Sequence, residues 1–159
     1  IKIQNHLFSS YFPYLQLGGC LLQQDFYHPY HPYIHVGMEF LRPYFEILYS
    51  KVSVTRAYLL QKPIPAEVIR RVASYDFSTQ ECLDLMRQCI ENTVEAYRLP
   101  LRIAELKLQA ELGCTDQALA GLEAFTRDYG GAKDFRESIV PLAKDAVGAL
   151  AVQYFDQRN

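Results

Sequence analysis

The residues whose types could carry chemistry crowd into one short stretch: Asp25, His28, His31, His35 and Glu39 follow one another at intervals of three or four. On an unbroken helix such residues share a face. Imidazole with carboxylate is a donor set that zinc and iron accept. Pro29 and Pro32 break that helix, because proline lacks the N–H and its ring clashes with the preceding turn. Only His31, His35 and Glu39 are left to share a face, and they define a metal-dependent helical enzyme as one reading. A His- and Tyr-rich turn that packs and hydrogen-bonds is the stronger one, so no metal, cofactor or catalytic residue is expected.

Other reactive types lack the company that catalysis requires. Cys20 follows Gly18-Gly19, but a nucleophile needs a base and an oxyanion hole, and no strand–turn–helix elbow surrounds it. The glycine pair is not a phosphate loop, since no Gly-Lys step follows at the required distance. Arg70-Arg71 with Lys62 makes a small basic spot, better read as a solvated helix face than as a nucleic-acid footprint. A net charge of −2 adds no global attraction to nucleic acid or anionic lipid.

Cys82 and Cys89 stand seven residues apart, the spacing of one helix face, and read as small core hydrophobes. With Cys20 and Cys114 they make too few cysteines for a disulfide framework in a 159-residue chain, which points to a reducing compartment, mitochondrial or cytoplasmic. The start at Ile1 fits a processed organelle protein, mitochondrial first, and equally a fragment. No run of 18 apolar residues marks a membrane span.

The elements that would position these groups fall into two compositions. Residues 1–60 hold 13 of the 21 aromatics and all four histidines, yet only seven charged residues. Residues 61–159 carry the other 27 charges and read as amphipathic helices. Pro65 suits the first position of a helix over 66–74. Ser78-Thr79-Gln80-Glu81 is a capping box, and the stripe from Cys82 to Tyr97 predicts about five helical turns, ended or kinked at Arg98-Leu99-Pro100. Residues 101–112 form a helix apolar on more than one side. Gly113 closes it with positive φ, Thr115 caps a helix that Gly130-Gly131 stop, and a last helix from Asp134 is kinked by Pro141 or begins near it.

In the first half, a helix is predicted over 34–50, possible to kink at Pro43. Val52 to Thr55 alternates as a short strand would, although a helix running on to Leu60 fits comparably. The fold class expected is therefore all-α: an irregular bundle of five to seven helices with an aromatic, proline-interrupted N-terminal arm.

Two short stretches resemble known families. Ala104 to Gly113 followed by Gln117-Ala118-Leu119 is similar to one tetratricopeptide helical hairpin over about 30 residues; Phe125 stands where that repeat wants a small side chain, and no second copy follows at the repeat spacing. A generic helical hairpin is the better description. Tyr11-Phe12-Pro13-Tyr14-Leu15, Gly18-Gly19 and Gln24-Asp25-Phe26 are faintly similar to the opening of immunity proteins of contact-dependent inhibition systems. There the spacing differs by one residue, and Cys20-Leu21-Leu22 replaces aromatics.

Aromatic side chains are enriched and charges depleted at interface cores. The low-charge arm over 1–60 is accordingly expected to pack on a partner or on the core of its own bundle, over 61–159. Tyr11, Phe12, Tyr14, Phe26, Tyr27, Tyr30 and Tyr33 would meet other protein subunits. The expected function is that of a non-catalytic accessory or scaffolding subunit; a small soluble binder such as a toxin-immunity protein is the alternative.

Overall fold

The computed structural model describes residues 8–24, 26–49 and 55–156. It is mostly helical, with a small three-stranded sheet. A helical turn at residues 8–11 and a 3-10 turn at Phe12–Tyr14 lead to strand β1, Cys20–Gln23. Helix α1, Pro32–Phe40, is followed by strands β2, Phe45–Tyr49, and β3, Arg56–Leu60. Then come α2 (Ala66–Ser74), α3 (Thr79–Glu91), α4 (Arg98–Glu111), α5 (Thr115–Tyr129), α6 (Val140–Val147) and α7 (Ala149–Asp156).

The sheet corrects the all-α expectation. A helix over 34–50 fails after Phe40 because Pro43 sits in a 3-10 turn, Arg42–Tyr44. Beyond it, side chains alternate between core and solvent, the period of a strand. β3 is central and antiparallel to both neighbours, in the order β1-β3-β2. Gly18, at φ +76°, turns the chain into β1, where Gly18 N–H donates to the Leu60 carbonyl. The strand expected at Val52 to Thr55 lies, except for Thr55, outside the described residues.

Two apolar cores fill the molecule. The larger joins the N-terminal half to α2, α3 and one side of α4, and includes Phe8, Phe12, Phe26, Tyr27, Met38, Tyr58, Met86 and Leu101. The smaller lies among the other side of α4, α5, α6 and α7. Leu101, Ala104 and Leu108 of α4 enter the first core, while Ile103 and Leu106 enter the second. The two-sided apolar pattern of α4 has this cause: the helix is a shared wall. The larger core thus runs across the composition boundary near residue 61.

Local signals set most of the helix ends. The Ser78 capping box forms, Glu81 N–H donating to Ser78 Oγ and Ser78 N–H to the Glu81 carboxylate. Gly113 takes φ +74° after α4. The five-turn helix from Cys82 to Tyr97 is shorter than predicted: α3 stops at Glu91, a 3-10 turn covers Glu95–Tyr97, and Pro100 lies in the first turn of α4, where a missing N–H costs nothing. Near Pro141 the chain forms a π-helical turn, Phe135–Ile139, before α6, and Gly148 at φ +68° separates α6 from α7.

A buried guanidinium joins sheet to helices. Arg56 of β3 is 1% exposed. Its guanidinium carbon sits 4.2 Å from the Phe26 ring centre and 5.2 Å from that of Tyr27. Nε donates to Tyr27 Oη at 3.3 Å and Nη2 to Thr93 Oγ1 at 3.0 Å. Thr93 Oγ1 in turn donates to the Cys89 carbonyl. Replacing Arg56 with Ala leaves a cavity and removes the donors to Tyr27 Oη and Thr93 Oγ1, so chemical denaturation should show a loss of about 3 kcal/mol or more. Arg56→Lys should recover only part of it, since an ammonium cannot match the planar contact with both rings.

Candidate functional site

The histidine stretch is built for packing. His35 is 1% exposed on α1, its ring 4.8 Å from Phe26, with Nε2 3.3 Å from the His28 carbonyl. Burial holds its pKa far down, at about 3, and the nearby Arg56 pushes the same way, so the ring is neutral at physiological pH. His31 is exposed, and His28 stacks edge-on to Tyr30 at 4.3 Å. Burial lowers the His31 pKa first and its neighbour His28 second.

Glu39 is buried, but its carboxylate is occupied: Arg42 Nη1 donates to it at 3.2 Å and Asn92 Nδ2 at 2.6 Å. Among the described residues no group of three His, Cys, Asp or Glu side chains is placed to hold a metal ion. His31, His35 and Glu39 are thus not brought together as a donor set. Asp25 lies outside the described residues.

The other reactive candidates are equally committed. Cys20 is exposed on β1, and the register sets Leu59 beside it, not an imidazole. Burial pushes the Cys89 thiol up to about 12 and raises that of Cys82, so both stay protonated. Arg71 is enclosed by the Phe40 and Phe77 rings, each 5.0 Å away, and donates to Glu81 and to the Asp76 carbonyl. The basic spot is therefore half used in holding α2 to its neighbours.

The aromatic arm divides into residues that serve the chain itself and residues that face outward. Phe12, Phe26 and Tyr27 are 4%, 1% and 4% exposed in the larger core. These three rings are covered by the chain's own residues. Tyr27 stacks on Tyr97 at 4.4 Å. Tyr33 is half-buried against Tyr75, and burial raises its hydroxyl pKa to about 12. Tyr30 reaches the C-terminal half, its hydroxyl donating to the Asp145 carboxylate on α6.

Tyr11 and Tyr14 remain outward, at 62% and 82% exposure. Beside them in the chain the sheet presents a face that sequence reading missed. The antiparallel register aligns Leu22–Ala57–Leu48 in one row and Cys20–Leu59–Glu46 in the next. The other face of the sheet carries Leu21, Tyr58, Ile47, Leu60 and Phe45 into the core. The outer rows hold a single charge, Glu46, which accepts from Gln61. Leu22 is 69% exposed, Leu48 42% and Leu17, just before the glycine turn, 60%. The available signal was Cys20-Leu21-Leu22, apolar at three successive positions and so on both faces, which a strand solvated on one face does not need.

These rows contain no acid–base pair or metal donor set among the described residues, and the thiol in them, Cys20, has Leu59 beside it and no base. What they can do is exclude water against another apolar surface. Comparison with known proteins finds no family model, no curated protein and no solved structure that matches this chain.

The buried neutral His35 has a consequence for acid stability. Its folded pKa lies below the unfolded value of 6.5, so the unfolded chain binds the extra proton as pH falls. Stability is full above about pH 6.5 and drops from there toward pH 3, at a limiting slope of about 1.4 kcal/mol per pH unit. Urea titrations of wild type and His35→Gln at pH 7 and pH 4.5 should show a smaller acid loss in the variant. Equal losses would mean that His35 protonates freely in the folded state.

Proposed function

We propose that this chain is a non-catalytic protein-binding subunit, and that its partner is held on the outer face of the sheet with the adjoining residues 11–17. The observation that carries the reading is the exposed row Leu22–Ala57–Leu48. Contiguous apolar surface is uncommon on soluble monomers and marks interaction sites when it occurs. Exposed tyrosines beside it, and a single carboxylate within it, match the composition of interface cores. β1 and β2 are the edges of the sheet, where unpaired backbone groups can also accept a partner strand.

A second reading is favoured by the burial of Phe12, Phe26 and Tyr27 in the chain's own core. An arm covered by its own helices needs no neighbour in order to fold, which suits a free-standing binder of the immunity-protein kind. The two readings differ in the behaviour of the isolated chain. A free-standing binder stays monomeric at high concentration, whereas an obligate subunit self-associates through the exposed row.

In Leu22→Asp/Leu48→Asp both changes are in exposed side chains, so far-UV circular dichroism should match wild type. Co-purification of the partner that accompanies the native protein should fall at least tenfold, the effect of placing charges in an apolar interface. A double variant that retains its partner at wild-type stoichiometry would place the interface elsewhere.

A further inference from the structure

A second site lies in the C-terminal half, away from the sheet. The end of α5, the π-helical turn, α6 and α7 enclose a cavity of about 430 Å³. Its walls are apolar and mostly aromatic: Phe135, Val140, Pro141, Tyr154 and Phe155. Phe135 and Tyr154 are each 7% exposed, and the rings of Phe135 and Phe155 lie 6.4 Å apart. A space of this size and lining falls within the range of small-molecule pockets, in which a few polar groups fix the orientation of a largely apolar ligand.

The polar groups here have one sign. Arg136 and Lys144 line the cavity, and no carboxylate side chain does so among the described residues. Lys144 is held by Asp156 at 2.6 Å. Arg136 is exposed and has no hydrogen-bond or ion-pair partner among the described residues. The π-helical turn places it. An added residue in the turn interrupts the α-helical spacing, and Phe135 goes into the smaller core while Arg136, next in the chain, stands exposed at the cavity. A guanidinium with unused donors beside aromatic walls is complementary to a carboxylate on a hydrocarbon body.

We propose that this cavity binds a small amphipathic carboxylate, its hydrocarbon part between Phe135, Val140 and Phe155 and its anionic head on Arg136. The site is independent of the sheet face, and loss of one leaves the other intact.

The test uses octanoate, octanol and octylammonium as probes on the full chain, below their micellar concentrations, read by calorimetry and by amide and side-chain chemical shifts. Octanoate should bind saturably with shifts centred on Phe135, Arg136 and Val140, at least tenfold tighter than octylammonium. Arg136→Glu, a surface change, should weaken octanoate about tenfold or more while the helical signal is unchanged. Val140→Trp should fill the space and remove binding of octanoate and octanol alike. Equal affinity for the three probes, shifts centred on Leu22 and Leu48, or no saturation below about 10 mM would each overturn the proposal.

Discussion

Burying a guanidinium is the constraint around which the larger core is arranged. Arg56 stands in the central strand with its charge removed from water, a costly position unless donors are used and the charge meets compensating density. Two segments far apart in sequence supply what is required. Phe26 and Tyr27 offer ring faces and a hydroxyl from the turn after β1, and Thr93 offers a hydroxyl from the end of α3. Each of these groups is useless to Arg56 unless the sheet, the aromatic turn and α3 reach their places together. A purely apolar strand would tolerate a slip in register, whereas a guanidinium that must meet two rings and two hydroxyls does not.

The same requirement explains why histidine behaves here as a packing residue. His35 lies edge-on to Phe26, the ring that also meets Arg56, and a second cation close to Arg56 would be repelled. Burial and the neighbouring guanidinium act in one direction and keep the imidazole neutral. Glu39, one turn further along α1, is claimed by Arg42 and Asn92 and so fastens α1 to the end of α3. His35 and Glu39, which read as metal donors along the sequence, are taken up by packing and by ion pairing instead.

How much of this was legible follows from the range of each signal. Helix signals are local: the Ser78–Glu81 box, Gly113 and the two-sided stripe of α4 are written within a few residues and appear in the structure, whereas Pro65 is the N-cap of α2 rather than its first residue and Thr115 begins α5 without capping it. Strand signals in this chain are not. β1 is four residues long, β2 follows a proline turn within what reads as a helix, and only pairing with β3 decides their state. Composition correctly marked the first 60 residues as unusual. It could not tell aromatic residues that seek a partner from those that surround a buried arginine, because that distinction depends on contacts with Thr93 and Tyr97, more than 60 residues away from Tyr27 in sequence.

The outer face of the sheet and the C-terminal cavity are what remain once internal demands have been met. On the core side, two residues of β3 answer to neighbours in the chain: Tyr58 to the rings of Phe26 and Phe45, Arg56 to Tyr27 and Thr93. On the outer side, Leu22 and Leu48 flank Ala57 with no such answer, although polar residues there would pair across the strands equally well and dissolve better. Leu22 and Leu48 are large apolar side chains that the chain itself leaves in water, and covering them with another apolar surface would be favourable. The binding proposal therefore rests on that row with the outward Tyr11 and Tyr14, not on Phe12, Phe26 and Tyr27, which the chain's own core takes up.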